Sequence, residues 1–347
     1  MGISVESFHK RLLEEVLDII WSQWTAVGAY TSVSPYQTAV IDSEALVCAT
    51  MWFGRYSPRL FDEAMDWLSV NDALISIDRL KSIAGSFSSD TRASLGAVLD
   101  YLWKVEGRAK FRGKSSRLAV DMLKTKEALF RSWPGEGEPF NGKGDDIFLK
   151  WGFERSRVEL RGMSSSPSPD KAVNLRFVLR DLFGIGVRAE VATYLVLVGR
   201  GNSSQIAKSV NQNQRAVYSV LDDFASGGFA DRREAGRETV FSIDTERWSG
   251  FVDLGEQTRF IQWTNSFSAL QELLCDRVEN ERAYGSPYLA SSRFREISPG
   301  IIRKLSDAGV KTSPPDSRRY PGEDYSEAFI DYVGTTIKEL VGNNDSK

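Results

Sequence analysis

Apolar residues recur every three or four positions along most of the first 130 residues, which is the spacing of one α-helix face. Phe8, Leu12, Val16 and Ile19 set this pattern at the start of the chain. Asp and Ser residues cap the first turn of a helix and Pro fits its first position, so these residues mark where helices begin. We therefore predict a helical domain over 1–130. Its further helices are expected at 43–53, 58–69, 77–84 and 90–105.

The periodicity fails over 131–172, where Pro, Gly and Ser accumulate. Such a composition is typical of turns and loops, so we predict a loop-rich connector with one isolated strand at 158–161. Helical periodicity returns over 173–247 and again over 248–347. The predicted fold class is therefore mainly α, with a small β-hairpin at 229–243. Later helices are expected at 174–182, 188–198, 212–226, 260–280, 291–308 and 325–341.

The most informative stretch follows Gly199 and Gly201. A helix-turn-helix needs a small residue where its two helices cross, apolar residues at fixed offsets, and a turn residue that tolerates a left-handed backbone. Ala207 supplies the small residue and Asn211 the turn residue, since Asn adopts positive φ more readily than most residues. The apolar set comprises Ile206, Val210, Val217 and Val220. Gly236 lies between two stretches in which apolar and polar residues alternate, and this pattern indicates a hairpin after the second helix.

These residues resemble the winged helix-turn-helix domains of bacterial transcriptional regulators of the ArsR and MarR type. The resemblance rests on Arg188-Ala-Glu-Val-Ala-Thr-Tyr-Leu, Ser204-Gln-Ile-Ala-Lys-Ser-Val, Arg215-Ala-Val-Tyr-Ser-Val-Leu, Gly228-Phe and Arg237-Glu-Thr-Val-Phe-Ser-Ile. The overall organisation, with helical extensions at the N- and C-terminal sides of this domain, resembles that of the long members of that class. The resemblance implies a sequence-specific regulator that binds double-stranded DNA as a homodimer, with an unknown small-molecule effector as a further candidate partner. The cysteine motif of the metal-sensing ArsR regulators is missing.

The resemblance implies that 212–226 is the recognition helix, which enters the major groove. It also implies that 229–243 is the wing, which contacts the DNA backbone or the minor groove. If Val217 and Leu221 pack inward, Arg215 and Ser219 point outward, where they reach base edges. Arginines beside the wing turn suit phosphate or a narrow minor groove. The candidate DNA-binding residues are Gln212, Asn213, Gln214, Arg215, Tyr218, Ser219, Lys208, Arg232, Arg233 and Arg237.

Charge leaves a second function open. Seven basic and six acidic residues fall between 186 and 243, which is a weak excess for a duplex binder, and Asp222 with Asp223 ends the recognition helix in negative charge. Winged helices also serve in protein binding. The alternative is therefore a protein-interaction module, such as an antitoxin that binds a partner protein.

A second basic stretch runs from Lys104 to Lys126, with eight basic and two acidic residues. The order of predicted elements over 58–117 imitates a degenerate second winged helix. A solvated helix end and loop is the other interpretation of the same residues. The candidate secondary patch comprises Arg108, Lys110, Arg112, Lys114 and Arg117.

The scarce residues exclude several kinds of site. His9 is the one histidine, and Cys48 and Cys275 are the two cysteines of the chain, so a Cys/His zinc site, a His-based triad and a CxxC redox pair are excluded. The stretch 137–144 has the spacing of a P-loop but carries Gly144 where Mg²⁺ binding needs Ser or Thr. We expect no enzymatic activity, cofactor or metal. No targeting signal or membrane span is evident, and two cysteines expected to be unpaired fit a reducing compartment, so we expect a cytoplasmic protein.

Overall fold

A computed structural model describes residues 5–138, 140, 142–244 and 258–342. The chain is mainly helical, with thirteen α-helices in these residues. They are α1 (Val5–Ala26), α2 (Ser43–Phe53), α3 (Pro58–Val70), α4 (Ile77–Ala84), α5 (Ser89–Lys104), α6 (Asp146–Lys150), α7 (Leu175–Phe183), α8 (Val187–Val198), α9 (Ser203–Val210), α10 (Gln214–Ser226), α11 (Trp263–Glu279), α12 (Pro287–Asp307) and α13 (Asp324–Val341).

The described residues also form three small sheets. The first pairs β1 (Glu127–Ala128) with β4 (Phe153–Glu154) in parallel, and the second pairs β2 (Arg131–Ser132) with β3 (Glu136–Gly137) in antiparallel fashion. The third has three antiparallel strands in the order β5, β7, β6. Its strands are β5 (Arg200–Asn202), β6 (Asp231–Ala235) and β7 (Glu238–Ser242).

Local start signals account for the helix boundaries in the first part of the chain. The Asp42 carboxylate accepts a hydrogen bond from the backbone N–H of Ala45 at 3.2 Å, which caps α2. Ser88 caps α5 through the N–H of Thr91, and α3 begins at Pro58 as predicted, although Ser57 makes no side-chain cap. The helices predicted at 43–53 and 77–84 have the predicted bounds.

One hydrophobic core contains residues from three segments that the sequence analysis predicts as separate. It contains residues of α1 to α5, of the 131–172 connector and of α11 to α13, for example Trp67, Trp151 and Trp263. Trp151 lies against α5 at Gly96, where a Cβ would come within 2.2 Å of the indole ring, so only glycine fits there. The connector is therefore part of the folded body. We call this core and its helices the helical body.

The connector contains short strands, but not the one predicted at 158–161. That stretch is extended without a strand partner, because neighbouring side chains satisfy its backbone. The carbonyl of Val158 accepts a hydrogen bond from Tyr101, and the Asp66 carboxylate accepts one from the backbone N–H of Arg161 at 2.8 Å.

The helices expected over 58–105 are present, but the hairpin that a degenerate winged helix at 58–117 would need does not form, since no strand occurs between 105 and 126. Two 3₁₀ segments, Ala109–Phe111 and Ser116–Asp121, occupy this stretch instead. Phe111 and Leu118 turn inward and are buried, which holds the chain in tight turns and leaves no free hairpin.

A second hydrophobic core gathers α7 to α10 and the three-stranded sheet. Leu179, Ala192, Ile206, Leu221 and Phe241 are all buried in it. We call this group of elements the α7–β7 unit. Among the described helices, none is both long and apolar enough to cross a membrane.

Candidate functional site

The α7–β7 unit begins its central motif with a fully formed cap. The Asn202 side chain accepts a hydrogen bond from the N–H of Gln205 at 2.8 Å, and the Gln205 side chain accepts one from the N–H of Asn202 at 3.1 Å. This reciprocal pair satisfies two amides at the start of α9, as the spacing predicts. Strand β5 precedes the cap and adds a third strand to the hairpin of β6 and β7.

Asn211 makes the turn between α9 and α10. It has φ 53° and ψ 51°, and it is the one non-glycine residue with positive φ in the described parts of the chain. Its side-chain amide donates to the Thr264 hydroxyl at 3.0 Å, which attaches the turn to α11. The predicted turn residue is confirmed.

Asn213, a candidate DNA-binding residue, is the N-cap of α10, so its side chain is already used within the chain. Its side-chain oxygen accepts hydrogen bonds from the backbone N–H groups of Arg215 and Ala216, at 2.9 and 3.3 Å. Those two amides are therefore already satisfied within the chain. Gln214 points toward α9, where its amide donates to the Ser203 hydroxyl at 3.3 Å.

Helix α10 has one buried and one exposed face. Val217, Val220, Leu221 and Phe224 are buried, as predicted from their spacing. Gln214, Arg215, Tyr218 and Ser219 are exposed, and Gln212 in the turn is half-buried. The Tyr218 ring lies edge-on to Phe241 of β7, with 6.1 Å between the ring centroids, so the exposed face of α10 adjoins the hairpin.

The hairpin carries exposed side chains along the whole of β6. Gly236 occupies the first of its two central turn positions with φ 66°, which glycine adopts without steric cost. The predicted hairpin is confirmed. Arg233 and Arg237 are exposed and have no ion-pair partner in the described residues. Arg232 differs, because its guanidinium lies 2.9 Å from the Asp222 carboxylate and 3.4 Å from that of Glu234.

Ion pairs within the unit offset two of its acidic side chains locally. Asp223 forms an ion pair with Arg188, and Asp222 forms one with Arg232. The two acidic residues at the end of α10 are therefore matched by cations of the same unit. Five exposed cations of the unit have no ion pair among the described residues, and they are Arg200, Lys208, Arg215, Arg233 and Arg237.

An open groove of about 660 Å³ separates the turn of the unit from the helical body. Gln212 and Gln214 line one wall, Ser82 of α4 stands on the body side, and Lys208 and Asp307 add charges of opposite sign. The N-terminal end of α10 therefore remains open to solvent along this groove. The body approaches it without covering Arg215.

Six buried charged side chains hold the unit against the body. They lie where α2, α4, α7 and α8 meet, and none is more than 3% exposed. We call them the buried charge network, and its members are Asp42, Glu44, Arg79, Arg176, Arg180 and Glu190.

The network links each carboxylate to more than one guanidinium group. The Glu44 carboxylate lies 2.7 Å from both Arg79 and Arg180, and Glu190 forms ion pairs with Arg180 and Arg176. Arg79 also donates to the carbonyl of Val210 at 3.0 Å, at the end of α9. The network therefore fixes where the turn of the unit sits on the body.

Electrostatics keeps the network ionised. Burial raises the pKa of the Asp42 carboxyl, but the charges of Arg176 and Arg79 outweigh it and hold the pKa below its usual range. The pKa of the Glu44 carboxyl is lowered in the same way, because Arg180 and Arg79 outweigh its burial. Sequence reasoning missed this network, since its members are spread over 148 positions and follow no local spacing.

The candidate secondary patch lies on the helical body. Arg112 and Arg117 are exposed, and Arg108, Lys110 and Lys114 are partly buried. The Lys110 ammonium donates to the carbonyl of Ala73 at 2.9 Å, and Arg108 donates to the Ser69 hydroxyl at 3.3 Å.

The cysteines and tryptophans serve the core where they are described. Cys48 and Cys275 are free thiols, and burial raises the pKa of both, that of Cys275 to about 12. Trp24, Trp52, Trp67, Trp151 and Trp263 are buried, whereas Trp248 lies outside the described residues.

No group of three or more His, Cys, Asp or Glu side chains suited to a metal ion occurs in the described ranges. No family model, curated protein or solved structure matches the chain.

Proposed function

We propose that the α7–β7 unit is a winged helix-turn-helix and that the protein is a sequence-specific transcriptional regulator that binds double-stranded DNA. One observation carries the proposal: the exposed face of α10 bears an unpaired Arg215 and adjoins a hairpin with two unpaired arginines, Arg233 and Arg237. A helix that enters the major groove needs such a face, and a wing needs cations toward the phosphates.

The order of elements supports the same proposal. Helix α8, strand β5, helices α9 and α10 and the β6–β7 hairpin follow one another, and β5 pairs with β7. Two helices joined by a tight turn thus lie next to a three-stranded sheet in the chain order, which supports the proposal. The unit therefore has the parts that a winged helix requires, with α10 as its recognition helix.

Each candidate residue has a role in this proposal. Arg215 contacts guanine in the major groove, while Ser219 and Tyr218 contact bases or the adjacent backbone. Gln212, Gln214 and Lys208 face phosphates along the groove beside the turn. Arg233 and Arg237 contact phosphate or the minor groove. Arg232 instead holds the hairpin to α10 through Asp222, and Asn213 shapes the start of the helix.

We propose that the protein acts as a homodimer on DNA. A single winged helix reads a short site, and two half-sites supply the affinity that a specific site needs. Footprint length and half-site spacing of the selected DNA test this part of the proposal.

Selection of duplexes from a random pool tests the function. The full chain should enrich a defined sequence, and Arg215→Ala should bind it about 1–3 kcal/mol more weakly. Arg282→Ala is the matched control, because Arg282 is an exposed, unpaired arginine beyond the far end of α11, about 25 Å along that helix from the turn contacts.

The outcomes separate the two candidate functions. Enrichment that depends on Arg215 but not on Arg282 supports the regulator. No enrichment, together with a stable complex with a partner protein that is indifferent to salt, would support the protein-interaction module and overturn the regulator.

A further inference from the structure

A polar cavity of about 720 Å³ lies beside α9, between the α7–β7 unit and the helical body. On the unit it is lined by Arg200 of β5, Lys208 of α9 and Glu238 of β7, and on the body by Asn265 of α11 and Asp307 of α12. Sites for small molecules typically measure about 300–1,000 Å³, so the size of this cavity suits one. We call it the α9 cavity.

Direct contacts join the two walls of the α9 cavity. Gln262, just before α11, donates from its backbone N–H to the carbonyl of Ala308 at 3.1 Å. Its side-chain amide donates to the carbonyl of Lys208 at 3.4 Å. Since the buried charge network also fixes the unit on the body, the chain alone forms the cavity and holds its walls in place.

The α9 cavity contains two positive and two negative charges without ion pairs. Arg200, Lys208, Glu238 and Asp307 are all exposed, and none of them forms an ion pair in the described parts of the chain. The Glu238 carboxylate accepts a hydrogen bond from the neutral side-chain amide of Asn202 at 2.8 Å, which leaves its charge unmatched. Charges of both signs are therefore available to a ligand.

Asp307 lies where its own helix disfavours a negative charge. It is the last residue of α12, and the unpaired carbonyl groups at a helix C-terminus carry partial negative charge. The cation of the last turn, Lys304, does not compensate it, because its ammonium group pairs with Glu272 at 2.7 Å. A positive charge brought by a ligand would relieve this repulsion, so the wall on the body favours an ammonium group.

The wall on the unit favours a negatively charged group. The guanidinium group of an arginine such as Arg200 binds a carboxylate through two parallel hydrogen bonds, which also orients the ligand. Lys208 adds a second positive charge to the same cavity. The side-chain amide of Asn265 has no hydrogen bond within the described residues, and Tyr194 adds an aromatic surface to the lining.

We propose that the α9 cavity binds a small zwitterion, either a free amino acid or a dipeptide. Its carboxylate pairs with Arg200 and Lys208. Its ammonium group pairs with Asp307, and Glu238 supplies the second negative charge. Because the four charges of the lining sum to zero, a zwitterion matches them, whereas a simple anion or cation leaves two of them unmatched.

Lys208 connects this ligand to the proposed function. It lines both the α9 cavity and the groove beside the turn, where the proposed function has it face a DNA phosphate. A carboxylate bound to Lys208 competes with that phosphate, so ligand and duplex should weaken each other's binding by one common factor, about fivefold or more. This competition rests on the proposed function, whereas the ligand site does not require it.

Isothermal titration calorimetry of the full chain with a panel of free amino acids and dipeptides tests the site. At least one member should bind with a Kd of about 1 mM or tighter. N-acetylation of that member removes its positive charge, and C-terminal amidation removes its negative charge. Each derivative should bind about tenfold more weakly, because each loses a charge-assisted contact.

Two variants test where each end of the ligand binds. Asp307→Asn should bind the intact ligand about tenfold more weakly but bind the N-acetyl derivative as the full chain does, since that derivative has no ammonium group. Arg200→Ala should show the same pattern with the intact ligand and its amide. The controls Glu14→Gln and Arg282→Ala each remove an exposed, unpaired charge of the same sign elsewhere in the described structure, and both should bind like the full chain. Circular dichroism checks that each variant is folded.

The outcomes separate this inference from the proposed function. If no panel member binds with a Kd of about 1 mM or tighter, or if binding ignores both Asp307→Asn and Arg200→Ala, the ligand site is overturned, and DNA selection still decides the proposed function. If the ligand binds as expected but leaves the affinity for the selected duplex unchanged, the competition at Lys208 is overturned. If the full chain binds no duplex, the proposed function fails, while calorimetry still supports or overturns the ligand site.

Discussion

Glu190 offers the sharpest test of how the α7–β7 unit is held to the helical body. Its carboxylate is 1% exposed, forms ion pairs with Arg176 and Arg180, and lies 3.5 Å from Arg79. Glu190→Gln keeps the size of the side chain and removes its charge. Three buried guanidinium groups then face two carboxylates.

The cost follows from the buried, unmatched charge. Removal of one partner from a buried ion pair typically lowers the free energy of unfolding by about 3–5 kcal/mol, because the remaining charge stays desolvated. Exposed residues without ion pairs change it by about 0.5 kcal/mol or less. Urea unfolding of Glu190→Gln should therefore show a loss of about 3 kcal/mol or more relative to Glu14→Gln. Glu14 is exposed and has no ion pair in the described structure.

A second measurement separates local from general effects. Because Glu190 lies in α8, hydrogen exchange of the amides of α8 and α9 should quicken more than that of α1. A loss below about 1 kcal/mol, or equal protection in all three helices, would refute the view that this network fixes the unit on the body.

Three further predictions concern single positions. Gly96→Ala should cost about 1–3 kcal/mol of unfolding free energy, because its Cβ would overlap the Trp151 ring; a cost below 0.5 kcal/mol would contradict the packing. Asn211→Ala should be less stable than Asn211→Gly by about 1–2 kcal/mol, since alanine resists the left-handed turn; equal stability would contradict the turn geometry. Burial lowers the pKa of His9 to about 4, so the unfolded state, with a pKa near 6.5, binds the proton more readily and stability falls as pH drops from 6.5 toward 4. Between pH 7 and pH 4.5 the full chain should lose about 2 kcal/mol more than His9→Leu, and equal losses would show that His9 titrates normally in the fold.

Local signals predict the parts of the site that depend on neighbouring residues. Asn211 at the turn, Gly236 in the hairpin and the inward face of α10 all follow from short-range backbone and spacing rules. For the same reason the bounds of α2 and α4 can be predicted from the sequence.

Long-range packing decides what the sequence does not predict. The connector joins the body because Trp151 reaches Gly96 across 55 positions, and the buried charge network pairs residues as distant as Asp42 and Arg176. The partner of Arg232 is Asp222 on α10, whose negative charge taken alone disfavours contact with DNA. Such pairs leave no periodicity for a single sequence to reveal.

Methylation of guanine N7 tests the central claim most directly, because this atom is read only in the major groove. In an interference assay on the selected duplex, at least one guanine should block binding of the full chain when methylated. That interference should disappear for Arg215→Ala and persist for Arg282→Ala. Binding that ignores N7 methylation at every guanine, or an interference pattern that Arg215→Ala retains in full, would contradict the account.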